Sequence, residues 1–349
     1  MKKVIVILLA VIVVLIGITA ALPFIYKDEI FKLVKEEANK TLNAKLDFGT
    51  FNLTIFKNFP DLTLTLNNIS VDGVDEFEGI RLADMKTTEV TLDLLSVIKG
   101  ETVSVKSLRL TEPTFHVVIL KGGKANYDIA KADEETATSE ESEESAAFHV
   151  ALKNYFVKNA NIIYDDQDYD MYTKIEGLTH SGTGDFTQDI FLLNTQTAIE
   201  KLTYKMEGIA YLNEVKIGAK CDLEMDMNNS KYTFKENEFS LNDLALGLDG
   251  WVAMPTDDID MDITYFAKKT DFKSIMSLIP ALYTQDLEGV KTEGKVALDG
   301  YAKGVYTETA LPAFGFNLLV EDAMFQYPDL PKSANNIQVD VKISNPGGN

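Results

Sequence analysis

Cys221-Asp222-Leu223-Glu224-Met225-Asp226-Met227-Asn228 alternates apolar and polar side chains without a break. Successive residues of a β-strand point to opposite faces, so the stretch reads as a strand with one oily and one acidic face. The same period recurs in both directions. Leu62, Leu64 and Leu66 alternate with Thr63, Thr65 and Asn67, and Leu202, Tyr204 and Met206 with Thr203, Lys205 and Glu207. Ile259, Met261 and Ile263 oppose Asp258, Asp260 and Asp262. Phe314 to Val320 and Ile337 to Ile343 repeat the pattern near the end. Strands wet on one face and in need of cover on the other are those of antiparallel sheets. The apolar sets either pack as plain core under a second layer or line a surface that takes up something apolar.

Helical spacing is confined to two places. Between Asp28 and Ala44, Ile30, Leu33, Val34 and Ala38 fall on one side of an amphipathic helix. From Asp271, a capping residue, Phe272, Ile275, Met276 and Ile279 line one face of a helix that stops at Pro280 and caps the sheet.

Nineteen residues, Val4–Leu22, carry no charge and follow Lys2 and Lys3. As a helix they would be about 29 Å long, near the hydrocarbon thickness. The lysines mark the cytoplasmic side, which puts the body across the membrane. A cleaved signal peptide is the competing reading, with Thr19, Ala20 and Ala21 near a cut. The stretch exceeds the roughly 7–15 apolar residues of such peptides. Tyr26 and Lys27 also resemble the interfacial anchors of a retained span. Either way the body is exported.

With 33 Lys and Arg against 54 Asp and Glu, the net charge is −21. Phosphates and anionic lipid surfaces repel such a body, so nucleic acid is not an expected partner and docking by a basic patch is excluded. Cys221 is alone, which excludes an internal disulfide and a multi-Cys metal site. Asp133 to Ser145 holds seven acidic residues and no large apolar one, as solvated loops do. These features divide the chain into an anchor (1–26), a first β region (27–132), an acidic loop (133–147) and a second β region (148–349).

Chemistry-bearing motifs are missing from the sequence. His116, His149 and His180 are not spaced like zinc ligands, and no HExxH, GxSxG, Walker A or GxGxxG is present. His116, in the apolar run Phe115 to Leu120, reads as a hydrogen-bonded structural residue. Cys221 sits on the oily side of its strand beside acids, where a thiol is inert. Asp166, Asp168 and Asp170 start like a calcium loop, but Met171 stands where Gly is required and Gly177 where Glu is required. No catalytic residue, metal or cofactor is expected, and the chain is not read as an enzyme.

Several pieces in order carry a family resemblance. They are Phe56-Lys57-Asn58-Phe59-Pro60-Asp61-Leu62, Leu66 to Ile69, Leu82-Ala83, Thr91-Leu92-Asp93-Leu94-Leu95, Gly100, Leu108 to Pro113, and Gly123 with Asn126-Tyr127-Asp128. With the anchor before them, residues 1–130 resemble an AsmA-family protein of the Bacteroidetes type. Asp271 to Pro280 and Tyr327 to Pro331 look similar to the downstream body of such proteins.

The resemblance implies a single-pass inner-membrane protein with a cytoplasmic N-terminus. Its periplasmic body would be mainly β, an elongated, twisted antiparallel sheet curled into a groove, with a few short helices. It also implies binding of phospholipid acyl chains and support of lipid transfer toward the outer membrane. Residues expected on the lining are Leu62, Leu64, Leu66, Leu202, Tyr204, Met206, Leu223, Met225, Met227, Ile259, Met261 and Ile263. The rival expectation is a non-catalytic scaffold or assembly factor contacting outer-membrane or other envelope proteins. Relatives of this type run longer, so the chain, ending just after Pro346-Gly347-Gly348, is expected to be a stretch of a larger protein.

Overall fold

The computed structural model describes residues 35–36, 39–99, 103–131, 148–256, 258–267, 270–276, 289–307, 309–328 and 330–348. The expected anchor at Val4–Leu22 and the acidic loop from Asp133 lie outside the described residues. No helix among the described residues is long and apolar enough to cross a membrane. These residues form sixteen strands, two short α-helices and a 3-10 turn, with further helical residues at 35–36 and 39–41, and every pairing within the units below is antiparallel. The chain divides into two compact units, Met1–Val118 with Lys124–Leu152, and Ile119–Gly123 with Lys153–Asn349.

In the first unit, β3 (Asp61–Asp72) pairs along one side with β1 (Lys45–Asp47) and then β2 (Thr50–Asn58). Its other side pairs with β4 (Arg81–Leu92), which pairs with β5 (Val103–Ile119). A 3-10 turn, Asp75–Phe77, joins β3 to β4, and helix α1 (Leu94–Lys99) joins β4 to β5. Phe48, Phe51 and Ile69 form the buried cluster, with Leu46, Leu53, Leu64, Leu66 and Met85 packed against it.

That cluster needs a backbone device, because Leu64 and Leu66 are out of phase with Ile69. Asn68 lies between them in the left-handed region, φ 54°. Glu112, φ 49°, does the same on β5 between Leu110 and Pro113. Lys86, between them on β4, ion-pairs with Glu112 at 2.9 Å. One transverse line of kinks thus keeps three strands' apolar residues on one face across a phase break.

The second unit continues the principle. Its order is β6 (Phe148–Asp166), β7 (Met171–Thr183), β8 (Ile190–Met206), β9 (Ile209–Asp226), β10 (Lys231–Leu241), β11 (Leu244–Ala253), β12 (Ile259–Ala267), β14 (Lys291–Tyr306), β15 (Ala313–Gln326) and β16 (Ala334–Asn345). β13 (Thr270–Asp271) pairs with β14 and leads into α2 (Phe272–Met276). Asn159, Gly177 and Glu214, all at positive φ, mark a second line of irregularity across β6, β7 and β9. Gly294, Asp322 and Asn336 mark a third across β14 to β16. Bulged strands bend and gain twist, so each line bends the strands that cross it.

The predicted strands are present, with local corrections. Met227 is not in a strand: β9 ends at Asp226, and the Met227 N–H donates to the Asp189 carbonyl at 2.8 Å in the following turn. The helix expected to reach Ala44 stops earlier. Residues 39–41 are helical, but Leu42 forms an antiparallel bridge with Ala130, which takes the backbone out of the helix. Helix α1 was not anticipated.

Candidate functional site

Directly opposed residues of antiparallel neighbours share a face, so register gives the layout of the apolar side. In the second unit one row runs Phe191, Met225, Tyr232, Val252, Met261, Gly304. The next runs Leu193, Leu223, Phe234, Gly250, Ile263, Ala302, Phe314. A third passes from Leu248 through Tyr265, Gly300 and Phe316 to Ile343. Leu223, Met225, Met261 and Ile263 therefore belong to one continuous surface, and Ile259 extends it at the start of β12.

Leu202 is out of phase with Leu193 along β8, but the register shift after Ile199 sets it opposite Val215. Val215 is in phase with Cys221 on β9, and Tyr204 follows opposite Leu212 beyond the Glu214 bulge. The Tyr204 hydroxyl lies 3.6 Å from the Met171 sulfur and 3.4 Å from that of Met206. Met206 and Met227 are exposed. Leu62, Leu64 and Leu66 are in the first unit, where Leu62 is buried and the other two pack on the Phe51 cluster. The expected lining thus falls into two sets, three residues in one unit and nine in the other.

The degree of cover distinguishes core from lining. At one corner of the second unit, Phe272 of α2 packs on Val296, Val320 and Ala323, which retain 7%, 3% and 0% of their exposure. Elsewhere on the same face Leu223, Met225, Tyr232, Phe234, Met261, Ile263, Phe314 and Phe316 are only half-buried, and Ile343 is exposed. Within either unit the described strands lie side by side, with no second sheet stacked on the first. Tyrosines cover glycines across the strands: Tyr155 lies on Gly182 and Tyr265 on Gly300, where an added Cβ would fall 2.2 and 2.3 Å from the ring. The Tyr265 hydroxyl also donates to the Gly315 carbonyl at 3.1 Å.

A polar group interrupts the oily surface on β6 to β8. His180 has one ring nitrogen 2.8 Å from the Thr197 hydroxyl and the other 3.0 Å from the Tyr155 hydroxyl. Burial holds the imidazole below its ordinary value and pushes the Tyr155 phenol up. Sequence reading missed this trio, since its members lie 17 and 25 residues from His180 and meet only once register is known. The opposite face is wet and ion-paired: Lys303 meets Asp262 at 2.6 Å, Lys235 meets Glu224 at 3.1 Å, and Lys231 sits 4.1 Å over the Trp251 ring.

Other singled-out residues have structural work. The Asp166 carboxylate accepts the N–H groups of Asp168 and Tyr169 at 3.0 and 3.1 Å, and that of Asp168 accepts Gly122 N–H at 3.0 Å. These bonds shape the β6–β7 turn. Among the described residues no three His, Cys, Asp or Glu are grouped to hold a metal. Cys221 is buried, and burial, with Asp222 beside it, raises its thiol. Near His116, the Asn126 side chain donates to the His116 carbonyl at 2.7 Å and accepts Val118 N–H at 2.9 Å. Asn126 so takes the place of a strand partner for β5.

The described strands of the second unit thus form an antiparallel sheet with one wet face and one half-covered apolar face, bent by lines of bulges. The AsmA family model matches residues 1–270, and the chain belongs to the AsmA family. No curated protein and no solved structure matches the chain. Family membership supports a membrane-associated protein of the bacterial envelope.

Proposed function

We propose that the chain binds phospholipid acyl chains on the apolar face of its sheets and supports lipid transfer from the inner toward the outer membrane, without catalysis. Val4–Leu22 anchors it in the inner membrane with the N-terminus cytoplasmic and the body periplasmic. The observation carrying this reading is the contrast in cover. The face that α2 seals at the Val296 corner runs on, in register, as half-buried Leu, Met, Ile and Phe side chains. Leaving such a surface wet is costly, and an acyl chain gains about 0.8 kcal/mol per buried CH₂, or roughly 12 kcal/mol for sixteen carbons. Flexible thioethers at Met225 and Met261 adapt to irregular contents.

The test places photo-crosslinkers at Leu223 or Met225 and, as controls, at Asp222 or Glu224 on the wet face. Lipid adducts at the first pair only are expected, with phospholipid in mass spectra of the mildly extracted protein. Leu64→Asp or Leu66→Asp should lower lipid occupancy. Protein adducts in place of lipid at Leu223 would overturn the reading in favour of an envelope scaffold.

A further inference from the structure

We propose that the end of the first unit formed by the β2–β3 turn and α1 inserts into the surface of the bilayer that holds Val4–Leu22. The proposal rests on the reading of that stretch as a membrane span and is independent of lipid carriage. Asn58 pairs with Asp61 across the turn, and the Asn58 side chain donates to Thr63 and Thr91 at 2.9 and 3.1 Å. These bonds bring the turn to the end of β4 from which α1 starts. Four large apolar side chains stand in water there: Phe56, 80% exposed, Phe59, 74%, Leu95, 66%, and Ile98, 58%. Leu95 and Ile98, three apart, share a face of α1.

Two observations select a bilayer as the occupant. First, the described charges at this end are matched by ion pairs, in a chain of net charge −21. Lys57 pairs with Glu89, and Lys106 with both Asp61 and Asp93 at 2.7 Å. Lys57 and Lys99 remain exposed beside the apolar groups, as lysines do at membrane interfaces. Second, the chain direction fits. The Asn39 side chain bonds the N–H and carbonyl of Leu46, while Lys35 pairs with Asp47 at 2.6 Å. Followed backward from Asn39 to Lys35, the chain runs as β1 and β2 run, toward Phe56 and Phe59. In sequence, the uncharged stretch Val4–Leu22 precedes Lys35.

The test uses the full chain in vesicles of phosphatidylethanolamine and phosphatidylglycerol, with an environment-sensitive fluorophore on Phe59→Cys or Ile98→Cys. A label on Glu78→Cys, next to the 3-10 turn at the other end of β3 and β4, is the control, and the unmutated chain accounts for buried Cys221. Quenching by nitroxide lipids is expected at 59 and 98 and not at 78, with loss of iodide quenching at the first two. Phe56→Ser with Phe59→Ser should bring the label at 98 to the control level while the circular dichroism of the sheet is unchanged. Labels open to iodide on a chain that stays with carbonate-washed vesicles overturn this proposal alone. Protection from iodide without nitroxide quenching also overturns it, since protein then covers the site. A chain that washes off overturns the anchor and this proposal with it.

Discussion

His180 shows how one residue couples the oily face to pH. Its ring is half-buried between Tyr155 and Thr197, and burial lowers its proton affinity below the ordinary value near 6.5. In the unfolded chain the ring protonates as pH falls through about 6.5, while in the folded chain it resists. The unfolded state then binds more protons, so stability is full above that pH and declines below it, down to the folded value. Urea midpoints of the wild type should therefore drop between pH 7 and pH 5 more steeply than those of His180→Gln. Parallel curves would remove His180 from the pH response. Cys221 gives a second prediction: buried and with a raised thiol, it should react with a thiol reagent only after denaturant is added. The sequence made Cys221 readable, because its alternation and acidic neighbours are local. It left His180 silent, because both partners come from other strands.

At the scale of elements, alternation located the strands but not where they change phase. Leu64-Thr65-Leu66 and Ile69-Ser70-Val71 each alternate cleanly, yet only a left-handed residue at Asn68 puts both sets on one face. Nothing in the letters Asn67-Asn68 separates this from a continuing strand, and Glu112 and Glu214 are less suggestive still. Helix α1 escaped notice because Leu94 to Ile98 is short and apolar, a pattern that strands share. The kinks carry a stability prediction. Asn tolerates positive φ and a β-branched residue does not, so Asn68→Val should cost about 1–3 kcal/mol. Asn68→Gly should be nearly neutral. Denaturant titration of both variants checks this, and equal effects would mean that the side chain of Asn68, not its backbone, matters. Gly300→Val should likewise destabilise by about 1–3 kcal/mol, since its Cβ would displace the Tyr265 ring.

At the scale of the whole molecule, the described strands of the second unit keep charge and oil on opposite faces, and this separates two kinds of binding. A chain of net charge −21 repels itself, and its described ion pairs are largely exposed, so they add little stability. Screening should then help more than it harms. The unfolding temperature should rise between about 20 and 300 mM NaCl, as the Debye length falls from roughly 20 to 6 Å. A fall would mean that the wet-face pairs outweigh the net repulsion. The same salt step bears on what the oily face holds. In the proposed function acyl chains are kept by burial of apolar surface, which screening does not weaken, so on that proposal phospholipid co-purified at low salt should remain after a wash in about 1 M NaCl. A cationic peptide held by the acidic face would leave in that wash. Release of the bound lipid by salt would place the contact at the headgroups and the charged face, and the half-covered rows through Leu223 and Met261 would then need another occupant.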